Sequence, residues 1–315
     1  MTNAPMKITV YIPSYNQAEY LAQAFASVMA QTRLPDQIII IDDASTDSSP
    51  ELIRSYAKAH PGLVHAILNQ TNQGIGAARK QAIEESIGDL ITYLDGDDLY
   101  FPEKLEREEQ ALIENPDAGY AYSNFTFIDA QGEHQGEWNT PEQMPSGEVF
   151  GRVACFDFPK NILYRCELVR RSVLLEAESY EPGLNLYEDF DAKLRIANRH
   201  CAIAVKHTLH AYRRHDAGLH RVSYAKHYDT LSHIYAKNEP MLDRIGKACA
   251  CGIRKEINAV LAKHAWRAVK QIAYGQADEH SKGVWHYAKA GYRHDRRGSL
   301  KPKHAYRIIR AMLRR

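Results

Sequence analysis

Carboxylates gathered at the ends of apolar runs are the residues of this chain whose types and spacing could do chemistry. The sequence Asp95-Gly96-Asp97-Asp98 directly follows the apolar run at residues 90–94. Three carboxylates crowded where a buried strand emerges repel one another, so the arrangement is costly unless a cation or its ligand neutralises them. The cluster therefore indicates a divalent-metal site, and its oxygen ligands suit Mg²⁺ or Mn²⁺ rather than zinc.

A second acidic pair follows the same pattern. The β-branched run at residues 37–41 is typical of a strand buried on both faces, and it ends in Asp42 and Asp43. In an open parallel sheet, ligands bind outside the carboxyl ends of the strands. Acids at two equivalent strand ends therefore predict one shared site, although a turn and a helix cap would also explain Asp42 and Asp43.

Two segments carry groups suited to a nucleotide. The first predicted strand breaks at Pro13 and exposes Tyr15, whose ring could stack on a base, although a proline turn with a core tyrosine fits equally well. The segment at residues 72–79 opens a helix with two glycines and places Arg79 one turn in, where it could meet a phosphate. This segment lacks the G-x-G-x-x-G spacing, which argues against a dinucleotide site.

Two later segments supply a candidate base and a cationic loop. A helix is predicted to begin near Glu188, where the helix dipole alone would account for an acidic start. On that helix Asp189 and Asp191 point about 200° apart, so at most one of them faces a given cleft and can act as a base. The basic run Tyr212-Arg213-Arg214-His215 predicts a loop that closes over a diphosphate.

The elements that position these groups alternate between strand and helix through the first third of the chain. This alternation predicts a mainly parallel, Rossmann-like α/β sheet with helices on both faces. Strands are predicted at residues 8–12, 37–41, 64–68, 90–94 and 120–128, and helices at residues 18–31, 50–59 and 75–87 and from residues 102 and 188. Residues 129–158, rich in Gly, Pro, Glu and Gln, predict a long surface excursion. The pattern is helical after residue 221, so we predict domains at residues 1–222 and 223–315.

Composition bounds the class of protein. The chain has 315 residues, of which 44% are hydrophobic and 25% charged, as is ordinary for a globular protein of about two domains. Five cysteines without a paired zinc pattern indicate reduced thiols in a cytoplasmic compartment. The sequence has no stretch near the ~18 apolar residues of a membrane span, so we expect a protein that is neither exported by a signal peptide nor embedded.

The net charge of +1 hides a basic C-terminal segment. From Arg293 to Arg315, here called the basic tail, nine Lys and Arg residues stand against Asp295 alone. Such a segment seeks anions or an anionic surface. Its aromatic and apolar residues suit a membrane interface, and the competing interpretation is a helical cap that packs on its own domain.

The order of these motifs resembles that of the family 2 glycosyltransferases, which are nucleotide-sugar enzymes of the GT-A fold. The resemblance covers about the first 220 residues. The matching segments are residues 12–16, 41–47, 72–79, 94–98, 187–191 and 212–215.

The resemblance implies roles for individual residues. It implies nucleotide-sugar binding by Pro13, Tyr15, Glu19, Asp43, Arg79, Asp95 and Arg213. It implies binding of Mn²⁺ or Mg²⁺ by Asp97, help from His215 in binding the metal or the diphosphate, and a catalytic base at Asp189. Asp98 and Asp191 stay open as substitutes, because acid-rich motifs leave the register ambiguous by a residue or two.

The expected function follows from this resemblance. We expect an inverting transferase that moves a sugar, preferably from a UDP-sugar, to a hydroxyl of a saccharide or a lipid-linked acceptor in bacterial cell-surface polysaccharide or lipopolysaccharide synthesis. A nucleotidyltransferase and a catalytically inactive binding or scaffold protein are the alternatives. We expect a cytoplasmic protein, peripheral at the inner membrane face through its basic tail, with no nucleic-acid partner.

Overall fold

The structure, a computed structural model, describes residues 6–178, 180–181, 183–215, 222–245, 247–274 and 283–295. The chain divides into two compact units, Met1–Asp216 and Ala217–Arg315. This division lies six residues before the boundary that the sequence predicts at residue 222.

Parallel strands form the first half of the sheet in the N-terminal unit. The elements are β1 (Ile8–Ser14), α1 (Ala18–Met29), β2 (Gln37–Asp42), α2 (Ser49–Ala59), β3 (Val64–Leu68), α3 (Ile75–Glu84) and β4 (Leu90–Tyr93). The strands lie in the order β3-β2-β1-β4, with Val10 opposite Ile38 and Ile8 opposite Leu90. The predicted alternation is confirmed, and the carboxyl ends of β1, β2 and β4 meet at one edge of the sheet.

The second half of the sheet is mixed. Its elements are β5 (Leu99–Tyr100), α4 (Lys104–Glu114), β6 (Ala118–Ile128), β7 (His134–Glu137), α5 (Phe150–Ala154), β8 (Leu168–Arg170), α6 (Arg171–Glu176), α7 (Glu188–Ala197) and β9 (Cys201–Arg213). The order continues β4-β8-β6-β9-β5. Strand β8 is antiparallel to both of its neighbours, β4 and β6, whereas β9 is parallel to β6. The sequence patterns missed β8, which is only three residues long, and β9, in which Lys206 and His207 interrupt the apolar residues.

The prediction of a surface excursion at residues 129–158 is right only in part: residues 131–135 are exposed, but buried side chains anchor the segment from Trp138 onward. Trp138 is buried and stacks on Phe125 of β6 with ring centroids 4.9 Å apart, and its indole N–H donates to the carbonyl of Ile162. Val149 and Phe150 are also buried. A few large apolar anchors therefore hold a segment whose Gly, Pro, Glu and Gln content suggested a loop.

The C-terminal unit is helical in its described residues, as the sequence predicts. It contains α8 (Tyr224–Asn238), α9 (Lys247–Ala273) and α10 (Gly283–His294). α10 turns small residues towards α9, and a Cβ atom added at Gly291 would lie 2.5 Å from Cε2 of Trp266. Among the helices that the structure describes, none combines the length and apolar character needed to span a membrane.

Candidate active site

Tyr15 lies just beyond the carboxyl end of β1, at the edge where β1, β2 and β4 end. Its side chain is 49% exposed, which rules out the alternative of a core tyrosine. Pro13 lies inside β1, opposite Ile41, and Glu19 is exposed in the first turn of α1. This corner therefore presents an accessible aromatic ring at the edge of the sheet.

Asp43 organises the loop that precedes α3. Its carboxylate accepts hydrogen bonds from the backbone N–H groups of Gln73 and Gly74, the latter at 2.7 Å, and from the side-chain amide of Asn69. Gly74 has φ of +87°, and a Cβ atom there would lie 2.0 Å from Oδ1 of Asn185. A glycine is therefore required at this position, and Asp43 fixes its loop against the sheet edge.

Arg79, one turn into α3, joins the end of β4 to the start of α7. Its guanidinium is buried over the ring of Tyr93, with Cζ 4.1 Å from the ring centroid. Nη2 donates to Oδ1 of Asp95 at 2.8 Å, and Nε lies 3.3 Å from Oε1 of Glu188. One buried cation therefore brings the acidic cluster after β4 next to the acidic start of α7.

Arg165, which the sequence analysis missed, neutralises two of the three carboxylates after β4. Its Nη2 lies 2.5 Å from Oδ2 of Asp95 and 3.3 Å from Oδ2 of Asp98, and the guanidinium stacks 4.2 Å from the ring centroid of Tyr212. Burial, followed by the charge of Asp97, raises the pKa of Asp98 well above its usual range in spite of Arg165. Asp95 and Asp98 are thus held by arginine, and Asp97 is left to face the edge.

Asp97 and His215 form a pair suited to a metal. Oδ2 of Asp97 lies 2.9 Å from Nε2 of His215, whose ring packs 5.0 Å from that of Tyr20. The described residues contain no cluster of three or more His, Cys, Asp or Glu side chains that could hold a metal ion. Mg²⁺ and Mn²⁺ sites on nucleotides commonly use one or two protein ligands and take the rest from phosphate and water, so the Asp97–His215 pair fits such an ion.

Arg213 is placed differently from the exposed phosphate-binding arginine that the sequence suggests. It is buried, its backbone N–H donates to Asp98, and its Nε donates to the carbonyl of Asp97 at 2.8 Å. The remaining guanidinium nitrogens donate to the carbonyls of Asp129 and Ala130 and to Gln23. In this conformation Arg213 ties the end of β9 to the acidic cluster.

The three acids at the start of α7 have different surroundings. Asp191 is fully buried and pairs with Arg195 at 2.8 Å, whereas the side chain of Asp189 is 26% exposed. Burial would raise the pKa of Asp189, but the charges of Lys193, Arg79 and Arg165 outweigh burial and lower it. Burial, together with the charge of Asp189, raises the pKa of Glu188 to about 7. Asp189 therefore presents an ionised carboxylate, while Asp191 is engaged inside the protein.

Lys193 and Glu167 complete the surroundings of Asp189. Nζ of the buried Lys193 lies 3.1 Å from Oε1 of Glu167 and 3.3 Å from Oδ2 of Asp189. Sequence reasoning could have found Lys193 from its i, i+4 spacing to Asp189 on a predicted helix. Arg165 and Glu167 lie in an irregular segment and offer no comparable periodic signal.

The segment that carries Arg165 and Glu167 has an unusual backbone. Cys166 between them has φ of +53°, in the left-handed region that side chains other than glycine rarely adopt. Its carbonyl accepts hydrogen bonds from Nζ of Lys104 at 2.6 Å and from the hydroxyl of Thr92 at 3.0 Å. Lys104 is itself buried against Glu108, at 2.5 Å. Buried polar contacts from α4 and β4 thus hold this conformation in place.

A mixed α/β sheet with acids at the carboxyl ends of its strands is consistent with the GT-A fold that the motifs predict, and sequence comparison identifies the family. Residues 9–173, more than half of the chain, match the sequence profile of glycosyl transferase family 2. The chain belongs to glycosyl transferase family 2, and the resemblance noted from its motifs is confirmed.

Bacterial relatives match about half of the chain. An uncharacterized glycosyltransferase of Nostoc sp. is 31% identical over 172 residues, which are 53% of this chain and 53% of the relative. The putative teichuronic acid biosynthesis glycosyltransferase TuaG of Bacillus subtilis is 30% identical over 132 residues, which are 42% of this chain and 52% of TuaG. The chain thus spans about half the length of these relatives.

Solved structures confirm the GT-A fold. TarS of S. aureus, residues 1–349 in complex with UDP-GlcNAc, is 17% identical, with a TM-score of 0.67 and coverage of 98% of this chain and 88% of TarS. The mannosyltransferase PcManGT of Pyrobaculum calidifontis, in complex with GDP-Man and Mn²⁺, is 16% identical, with a TM-score of 0.56 and coverage of 99% and 87%. At these identities the likeness establishes the fold alone.

Proposed function

We propose that this protein is a metal-dependent, inverting glycosyltransferase that moves a sugar from a UDP-sugar to a hydroxyl group. The observation that carries the proposal is the pair of contacts made by Arg79. Through Asp95 and Glu188 they join the acidic cluster of β4 to the carboxylate-rich start of α7. A single displacement at an anomeric carbon needs a leaving-group site and a base close together, one on each face of that carbon, and the contacts of Arg79 bring the two acidic segments together.

The donor is proposed to lie along the edge formed by β1, β2 and β4. Tyr15 would stack on the base, with Pro13, Glu19 and Asp43 around the base and ribose. Arg79 and Asp95 would contact the sugar and diphosphate, and Arg213 would support this side by holding Asp97. Mn²⁺ or Mg²⁺ at Asp97 and His215 would supply Lewis-acid stabilisation of the charge that develops on the diphosphate. The presence of UDP-GlcNAc in TarS and of Mn²⁺ in PcManGT supports this choice of donor and ion.

The acceptor is proposed to approach Asp189. The carboxylate of Asp189 takes the proton of the acceptor hydroxyl as the oxygen of that hydroxyl attacks the anomeric carbon of the donor sugar. The bond from that carbon to the diphosphate oxygen breaks, and its electron pair leaves with the nucleoside diphosphate. Asp189 then releases the proton to solvent. One displacement inverts the anomeric configuration, and the ionised state of Asp189 suits it to this step.

The acceptor class is proposed from the relatives. TuaG bears a name that assigns it to teichuronic acid biosynthesis, which supports a saccharide or lipid-linked acceptor in cell-surface polysaccharide synthesis. Cytoplasmic action at the inner membrane face is the corresponding location.

A stripe on α10 supports contact with an anionic membrane. Trp285 and Tyr292 are 53% and 50% exposed, and Lys289 and Arg293 are exposed on the same side of the helix, at spacings of four, seven and eight residues from Trp285. Aromatic and basic groups on one helix face suit the headgroup region, where each Lys or Arg contributes about 1 kcal/mol. Tyr287 is instead buried and donates to Asp229, and the segment with Tyr306, Ile308, Ile309, Met312 and Leu313 lies outside the described residues.

Vesicle co-sedimentation tests the membrane proposal. We expect Trp285→Ser with Tyr292→Ser to lower binding to vesicles that contain anionic lipid at low salt, and to change little on neutral vesicles. Tyr274→Ser is the matched control, because Tyr274 is also an exposed aromatic residue but lies just after α9 and not on α10. Equal sedimentation of the double variant and the wild type would reject the stripe as a membrane contact.

The activity is tested with a panel of UDP-, GDP- and dTDP-sugars in the presence of Mn²⁺. Hydrolysis or transfer that releases UDP, and an inverted product, would support the proposal. Release of pyrophosphate from a nucleoside triphosphate and a sugar phosphate would support the nucleotidyltransferase instead, although Asp95 and Asp98, engaged by Arg165, offer little for a second metal. Binding without turnover would support an inactive scaffold.

A further inference from the structure

The ammonium group of Lys193 is a buried charge for which the proposed reaction has so far no use. Nζ lies 3.1 Å from Glu167, 3.3 Å from Asp189 and 3.5 Å from the hydroxyl of Tyr93. A buried ammonium is tolerated only where carboxylates compensate it, and here two do so. One of the two is the carboxylate proposed as the catalytic base.

We propose that Lys193 is a positioning residue that orients the ionised Asp189 carboxylate towards the acceptor. This inference rests on the proposed function, because it assigns Lys193 a part in the base step. Oδ2 of Asp189 faces Lys193, and Oδ1 accepts the backbone N–H of Phe190 at 2.8 Å. With each oxygen held by one donor, the carboxylate has a fixed plane and keeps lone pairs for an incoming hydroxyl.

Among the cations near Asp189, Lys193 has the most direct contact with its carboxylate. Arg79 and Arg165 also act on Asp189 and favour its ionised form, while burial opposes it. Arg79 and Arg165, however, are bound to Asp95 at 2.8 Å and 2.5 Å. Of these three cations, Lys193 is the one whose charged group forms an ion pair with Asp189 itself, at 3.3 Å, in the part of the chain that the structure describes. Removing Lys193 would take away the nearest of these charges and leave Arg79 and Arg165 alone to oppose the effect of burial.

Glu167 has the complementary part of anchoring Lys193. It is buried and accepts from Lys193 at the shorter distance of the two carboxylates. A lysine bound to Asp189 alone could swing with it, whereas a lysine also fixed by Glu167 has one position. The pair therefore acts as a rigid support behind the base.

The test compares the pH dependence of kcat in Lys193→Met and Lys193→Arg. We expect Lys193→Met to shift the acid limb of the profile upward by about one pH unit or more, the usual effect of losing an adjacent opposite charge. At a pH on the acid limb, such a shift lowers kcat at least tenfold. We expect kcat to recover at higher pH and the KM for the donor to change little. Lys193→Arg should restore the wild-type limb, and Glu167→Gln, which keeps the lysine, should not raise it. A limb that stays in place in Lys193→Met would overturn the inference.

A substrate-free measurement separates this inference from the proposed function. In a double-mutant cycle of Lys193→Met and Asp189→Asn, we expect a coupling of at least tenfold in the unfolding equilibrium constant at neutral pH. No coupling would overturn the contact itself, whatever the enzyme does. If Lys193→Met fails to fold, Lys193→Met with Glu167→Gln removes the unpaired charge and should show the same raised limb. If Asp189→Asn loses activity while the acid limb of the kcat profile stays in place in the lysine variants, the positioning role of Lys193 is rejected and the assignment of Asp189 as the base stands.

Discussion

Two pairs of adjacent carboxylates, Asp97 with Asp98 and Glu188 with Asp189, share one arrangement, in which one acid is buried and its neighbour is partly exposed. In each pair one acid is buried and has a raised pKa, Asp98 in the first and Glu188 in the second. The other acid keeps part of its surface, 17% for Asp97 and 26% for Asp189. Burying one carboxylate beside another lets the chain place a single charge at the edge of the site.

The pairs differ in how the buried acid is held. Asp98 accepts the backbone N–H of Arg213 at 2.8 Å and faces Arg165, whereas Glu188 has Arg79 at 3.3 Å as its cationic partner. The first pair is thus built into the framework by two elements. The buried acid of the second pair has a single cationic partner that also serves Asp95, and its pKa is raised to about 7.

The largest effect should come from Asp189→Asn. The substitution keeps the shape of the side chain and removes its proton affinity, so we expect kcat to fall by about 10²–10⁴ with nearly unchanged donor binding. Steady-state kinetics and calorimetric donor titration measure the two quantities. Asp191→Asn is the control, since Asp191 is buried against Arg195: it should lower the free energy of unfolding more than the rate. The reverse result would move the base two residues along the helix.

Arg165→Met should be the strongest test of the first pair. It leaves Asp95 and the buried Asp98 without the cation between them, and breaking such a pair costs about 3–5 kcal/mol. Urea denaturation of the variant would measure this loss. Arg152→Met is a matched control, because Arg152 pairs with the largely exposed Asp157 and should cost at most about 1 kcal/mol. Similar losses in both would remove Arg165 from the centre of the site.

Asp97→Asn should weaken metal-dependent nucleotide binding, because it deletes a charged oxygen facing the proposed ion. We expect the affinity for UDP in the presence of Mn²⁺ to drop about 10–100-fold, with little change in its absence. Isothermal calorimetry gives both values. Asp89→Asn, at the opposite end of β4, where Asp89 accepts the N–H of Lys7, should bind as the wild type does. Full affinity in Asp97→Asn would end the metal assignment.

Glu188→Gln should change how stability depends on pH. The folded pKa of Glu188, about 7, lies above the unfolded value of 4.5, so the folded state keeps a proton that the unfolded state has lost. Glu188 therefore makes the wild type progressively less stable as pH rises from about 4.5 to 7, by up to about 3 kcal/mol. The variant should gain stability relative to the wild type across that window. Denaturation of the variant and the wild type at several pH values would show this slope, and the same pH dependence in both would contradict the prediction.

The sequence predicted what periodicity and motif order encode. The parallel half of the sheet, the acids at its strand ends and the family follow from apolar runs such as residues 37–41 and from Asp95, Asp97 and Asp98. The cations that neutralise those acids could not be predicted in the same way. Arg165 comes from an irregular segment 70 residues after Asp95, and its partners depend on the antiparallel β8, which is too short to leave a pattern. Trp138 shows the same limit of sequence-based prediction. Its segment has the composition of a loop, and the composition does not reveal that this one ring is buried and anchors the segment.

The left-handed residue Cys166 links the two carboxylate pairs in a single short stretch of backbone. On one side of it Arg165 reaches Asp95 and Asp98, and on the other side Glu167 reaches Lys193. A change in the backbone conformation of Cys166 would therefore displace the supports of the proposed donor site and of the proposed base together. A single substitution at Cys166 would therefore affect both proposed sites at once. A laboratory library that seeks a new donor or a new acceptor should vary the exposed edge around Tyr15 and leave residues 165–167 and Lys104 intact.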